Sequence, residues 1–211
     1  MILTQIIEFN ANQNTSFQTN MILTEKLDYS GDLIHSPFAY KFYRKNLPPL
    51  GAIICFRGKM DVKEHLIDLE DALDDDFIYS EDALNFCWEI PNMNPIGAVA
   101  FQRLFSNLVG KHISDVFGGE LDIYIKGDDI MIFKELDHSF DSKKLSVSIT
   151  KCENGTAYGH LGLNNNAGEK APSFAGSLNM NDDQVRVFMD QIQDLFYSTL
   201  EDINQASRKV I

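Results

Sequence analysis

Basic residues are scarce in this chain: 18 lysines and arginines stand against 31 aspartates and glutamates in 211 residues, a formal charge of -13. That balance repels polyphosphate and anionic lipid, and no run of more than two Lys or Arg offsets it. Nucleic-acid and membrane partners are therefore excluded. Cysteines are also few. Cys55, Cys87 and Cys152 stand apart without Cys-x-x-Cys spacing, which excludes a zinc knuckle or a disulfide framework and suits a reducing compartment. Long apolar runs are missing as well. Gly51–Phe56 is far too short to span a bilayer, and the first residues lack the basic start and apolar stretch of a secretory signal. A cytoplasmic protein is expected.

What is there supports one buried core, because 44% of the residues are hydrophobic. Residues 1–20 contain the polar stretch Asn10–Asn20 and form an extension or loose segment; residues 21–211 form a single domain. Gly51–Phe56 reads as a buried strand that turns at Arg57-Gly58. Val62, Leu66, Leu69 and Leu73 then keep helical spacing from Asp61, with His65, Asp68, Glu70 and Asp71 as weighed metal ligands. Leu84, Phe86, Trp88 and Ile90 alternate with Ala83, Asn85, Cys87 and Glu89, a strand with one apolar face. Pro95 opens a helix that runs to Gly110. Leu121–Ile125, Ile130–Phe133, Lys144–Thr150 and Tyr158–Leu163 are four further strands. Asn181 caps a last helix with the stripe Val185, Phe188, Met189, Ile192, Leu195, Phe196 and Leu200. The sum is an α+β domain: a mixed, largely antiparallel sheet holding all five strands from Leu84 onward, flanked by helices and covered on one side.

From Ser80 onward the order of elements resembles the catalytic domain of the biotin and lipoate protein ligases and lipoyl transferases, of the class II synthetase type. Asp82-Ala-Leu-Asn-Phe-Cys-Trp is similar to the strand after the substrate loop. Ile125-Lys126-Gly127-Asp128-Asp129-Ile130 resembles the Lys-Trp-Pro-Asn-Asp-Ile turn, one residue shorter. Lys143-Lys144-Leu145-Ser146-Val147-Ser148 resembles the strand that carries the family's active-site lysine, and Lys144 falls on it. Gly159-His160-Leu161-Gly162-Leu163-Asn164-Asn165-Asn166 is similar to the family's His-Gly and Asn-x-Asn strand. The whole chain also resembles an uncharacterised conserved family, domain of unknown function 366, through Arg57-Gly58, His65–Asp71 and Lys144–Ser148. One departure counts against nucleotide chemistry: where the ligases have a Gly- and Arg-rich phosphate loop, Asp71–Asp82 is rich in aspartate and has no glycine.

The resemblance implies Lys144 as the catalytic residue, its ammonium set to stabilise negative charge on a carboxyl or thioester. It implies Arg57, Lys126, Asp129, His160 and Asn164 as ligand-binding residues in a shared cleft, with no metal. A solvated lysine and a structural histidine are the alternatives for Lys144 and His160. Cys152 is not in the place of the transferases' nucleophile. Two functions remain open: a small-molecule carboxylate or acyl binder, as an acyltransferase or ligase without the usual phosphate loop, or a non-catalytic ligand-binding or protein-interaction domain. The expected partners are a small-molecule ligand and a second copy in a homodimer; the cofactor is unknown.

Overall fold

A computed structural model of the chain describes residues 22–23, 26–35, 37–43, 47–63, 77–136 and 139–209. A 3-10 turn, Asp32–His35, precedes the short helix α1, Phe38–Tyr43. Strands β1, Ala52–Val62, and β2, Ile78–Pro91, lead to helix α2, Pro95–Val116. Then come β3, Asp122–Lys126, β4, Asp129–Leu136, β5, Ser139–Lys144, β6, Ser146–Glu153, and β7, Thr156–Asn166. Helix α3, Asp182–Ser207, ends the fold. The class is α+β, and every strand pair is antiparallel.

The expected single sheet is corrected. Four strands pair in the order β1-β2-β7-β6, and three others form a second sheet, β3-β4-β5. The expected strand Lys144–Thr150 is two strands split at Leu145. That residue, fully buried, donates its N–H to Ile130 O at 2.8 Å and accepts from Asn164 N–H at 2.9 Å. One residue thus bonds to both sheets and hands the chain from β4 to β7 as neighbour.

Both faces of the larger sheet are covered, not one. Leu84, Phe86, Trp88 and Ile90 of β2 face a core built with α2 and α3, where Trp88 meets Phe101 and Phe105 edge-on. Ala83 and Cys87 face a second core with Tyr29, Phe38 and Phe56. Each large side chain so buried contributes about 1.5–3 kcal/mol. The alternation itself is as expected; α1 and the preceding segment cover the face thought to be solvated. That segment follows β1, with Leu23, Leu27 and Tyr29 N–H groups donating to Cys55, Arg57 and Lys59 carbonyls.

Two glycines expected to stop elements serve close packing instead. β1 runs through Arg57-Gly58, with a register shift between Gly58 and Met60, and a Cβ on Gly58 would sit 2.1 Å from Leu27 O. Helix α2 continues past Gly110, where a Cβ would come within 2.6 Å of Ile125. Asp61 and Val62 end β1, so no helix starts at Asp61. Residues 64–76, with His65, Asp68, Glu70 and Asp71, lie outside the described residues, as do residues 1–21 with the polar extension. Asn181 caps α3 as expected, in a capping box with Gln184.

Candidate functional site

Register decides which candidate residues meet. Arg57, Leu84, Leu163 and Ser146 form one row across the larger sheet. Ile54, Cys87, His160 and Ile149 form another, three residues earlier on β7 and so on the opposite face. Lys144 meets Asp129 and Asn164 where β5 gives way to β6 and β7 finishes, while Arg57 sits on β1, two strands across the sheet from β7. His160 does not join them.

Lys144 is the last residue of β5. Its N–H donates to Phe174 O and its carbonyl accepts from Gly176 N–H, both at 2.8 Å, so the segment after β7 fixes its backbone. It pairs with Met131, two residues from Asp129, and side chains two apart on a strand share a face. The ammonium accordingly lies 2.8 Å from Asp129 Oδ1, with the side chains 32% and 28% exposed. Lys126 is exposed at the end of β3, opposite Asp129. Behind this hairpin Gln102 of α2 donates to Asp128 Oδ2 at 3.0 Å and to Ser148 Oγ at 3.1 Å, and Arg103 lies 3.3 Å from Asp128.

Asn164 is 5% exposed. Its amide nitrogen donates to Lys144 O at 3.4 Å, which orients the group, since only the NH2 end can face a carbonyl. The other end, Oδ1, is buried with no hydrogen-bond partner. A buried acceptor left unpaired costs about 1–3 kcal/mol, so it is a place for a donor.

Arg57 is bound on the far side of the row. Its Nε and Nη2 donate to the two oxygens of Asp82 at 2.7 Å each, and its Nη1 to Asp182 at 2.6 Å. Asn165 adds a donor to Asp82 at 2.8 Å and exchanges hydrogen bonds with Met180. The Asp82 hydrogen bonds hold the guanidinium pKa above its ordinary value. Burial opposes ionisation of Asp82, but Arg57 and Asn165 outweigh it and keep the carboxyl below the usual carboxylate range. Asp82 and Asn165 were not singled out from the sequence. The signal available is an aspartate at the junction of the acidic stretch with the strand Asp82-Ala-Leu-Asn-Phe-Cys-Trp. The second half of that stretch is in fact the start of β2.

His160 is 1% exposed. It stacks on Tyr29 with ring centroids 3.8 Å apart, and its Nε2 lies 2.9 Å from Asn85 Oδ1. Burial pulls its pKa down to about 3, so it is neutral in the fold. Cys152 is half-buried with its Sγ 3.3 Å from Met93 O. Among the described residues no group of three or more His, Cys, Asp or Glu could hold a metal ion, and no helix is long and apolar enough to cross a membrane.

Comparison with known proteins adds to this geometry. Residues 18–211 match the profile of a family described as a domain of unknown function, DUF366. No curated protein matches the chain. A solved protein of unknown function from Pyrococcus horikoshi is similar with 23% identity and a TM-score of 0.73, covering 90% of this chain and 96% of that one. A bi-partite lipoate protein ligase from Thermoplasma acidophilum shares 12% identity at a TM-score of 0.48, over 84% and 82% of the two chains. A biotin protein ligase from Aquifex aeolicus shares 13% at 0.42, over 68% and 61%. At these identities the likenesses concern fold and not activity.

Proposed function

The chain belongs to the DUF366 family, and on that premise we propose that it binds a small carboxylate or acyl-bearing molecule at the joint between its two sheets. Lys144 faces the ligand's oxygen. Supporting this reading above all is the pairing of a half-exposed lysine with the buried, unpartnered Oδ1 of Asn164 on the same joint. An ammonium has three donors, and Asp129 occupies one side of it. The others can meet a carboxylate or the oxyanion of a reacting acyl group, where a preorganised positive charge lowers the barrier to acyl transfer. Asp129 orients the ammonium, Lys126 adds positive charge at the rim, and Asn164 Oδ1 accepts from an N–H or O–H of the ligand. His160 supports the sheet from behind.

An acyltransferase or ligase-like reaction is the enzymatic form of this proposal. Binding without catalysis is the second form, and it draws on Arg57: with three of its donors on Asp82 and Asp182, that guanidinium is poorly placed for a triphosphate. Both forms take the protein to be cytoplasmic and homodimeric. The test is a thermal-shift screen of octanoate, lipoate, biotin, nucleotides and divalent metals against the native chain and Lys144→Ala. A carboxylate at one hundred times its Kd stabilises by about 2.7 kcal/mol, a rise of roughly 5–10 °C for a chain of this size. Lys144→Ala should abolish that rise while shifting the ligand-free Tm little, because a half-exposed ion pair contributes about 0–1 kcal/mol. Carboxylates that stabilise both chains equally would refute the site. Acid-dependent exchange of pyrophosphate into ATP would show that the enzymatic form uses a nucleotide after all.

A further inference from the structure

The outer surface of the helix layer carries two unlike stripes. Helices α2 and α3 lie side by side and antiparallel on the larger sheet. The ring of His112 bonds Gln191 at 3.0 Å and packs on Phe188, while Phe101 and Phe105, earlier in α2, meet Phe196, later in α3. Facing away from the sheet, α2 shows Ile96 at 82% exposure, Val99 and Leu104 at 41% each, and the exposed Lys111, while Arg103 at its edge is paired with Asp128 of the β3-β4 hairpin. In a chain with 31 acidic residues, Pro95 through Ser114 contains none. The outward face of α3 is the opposite in charge: Asp183, Asp190, Asp194, Glu201 and Asp202 are exposed, with the half-exposed Val187 among them. Asp190 and Asp194 are one turn apart, and burial followed by this like charge raises the Asp190 pKa against the opposing charge of Arg186, the one exposed cation of the face, one turn before it.

An apolar stripe by itself does not say what covers it, but the charges here do. An apolar, basic stripe calls for an acidic amphipathic helix, and the acidic helix next to it calls for a basic one. We propose that two copies of the chain pair through this surface, with α2 of each lying on α3 of the other. A two-fold axis running between the helices and parallel to them makes that exchange and keeps positions along the axis. Such an interface is isologous, each contact occurring twice. Residues level with each other within one copy are then level across the pair. Lys111, next to His112 and so level with Phe188 and Gln191, reaches Asp190 of the other copy. Ile96 and Val99 cover the far end near Ser198 and Asp202, where the positive N-terminus of α2 meets Glu201 and Asp202. This deepens the homodimer in the proposed function by naming its surface.

Sedimentation velocity on the full chain at low ionic strength tests the surface. The expected result is a species of twice 23.9 kDa that dissociates as salt rises. Ile96→Glu and, separately, Leu104→Glu should each give monomers with unchanged helix content, since both side chains point to solvent. Lys111→Glu should weaken association at least tenfold, and adding Asp190→Lys to it should restore most of the loss. A native chain that is monomeric throughout would overturn both the homodimer and this surface. A dimer indifferent to Ile96→Glu and Leu104→Glu would overturn the surface and leave the homodimer standing. A charge swap that fails to restore association would refute the proposed alignment of α2 on α3.

Discussion

Replacing Asp82 with alanine removes three hydrogen bonds in one step, two from Arg57 at 2.7 Å and one from Asn165 at 2.8 Å. A hydrogen bond to a charged group is worth about 1.5–3 kcal/mol on truncation. The sum is not reached, because Arg57 stays 21% exposed and keeps Asp182, so its charge is not stranded as in a buried pair. Asn165 also keeps Met180 O. The expected loss is about 3 kcal/mol, a fall in Tm of roughly 6–12 °C for a chain of this length. The control is Asp182→Ala. That carboxylate is 93% exposed, and its removal should cost less than about 1 kcal/mol. Urea titrations of the three proteins at neutral pH measure the difference. The folded pKa of Asp82 is depressed, so its contribution is present above the unfolded value of about 3.9 and lost as pH falls through the lower folded one. The gap between native chain and Asp82→Ala should thus be constant from neutrality down to about pH 5 and close below about pH 4. Equal losses from Asp82→Ala and Asp182→Ala, or a gap independent of acid, would refute the reasoning.

Two further outcomes follow from the same packing. A Cβ on Gly159 would sit 2.1 Å from the Trp88 ring, so Gly159→Ala should cost more than about 2 kcal/mol and alter the emission of the single tryptophan; a change under about 0.5 kcal/mol in urea titration, the size of a surface substitution, would show that the ring can move aside. His160 is held neutral by burial, with its pKa near 3 against about 6.5 unfolded, so the unfolded chain takes up a proton first and stability should fall by up to about 1.4 kcal/mol per pH unit below 6.5. His160→Phe keeps a ring on Tyr29 and should flatten that slope while lowering stability at pH 8, because Asn85 loses a partner; an unchanged slope in pH-dependent denaturation would sink the account.

Local signals carried much of the fold. The period of two from Leu84 to Ile90, the Asn181 cap and the apolar stripe of α3 follow from geometry within one element, and the structure repeats them. Pairing between distant segments does not leave such a mark. Leu145 looks like any strand residue until β4 and β7 both bond it, and only then do five expected strands divide between two sheets. The same holds for the site. Lys144 and Asp129 were legible as residues, and register brings them to 2.8 Å. His160 was legible too, but its place opposite Cys87 turns it into the second core, under Tyr29. Composition could mark Arg57 as a cation; the fold supplied Asp82 and Asp182 as the partners that occupy it. Hydrophobic spacing and caps act over one turn or one strand, whereas burial and charge pairing depend on which strands become neighbours, and that choice belongs to the tertiary structure.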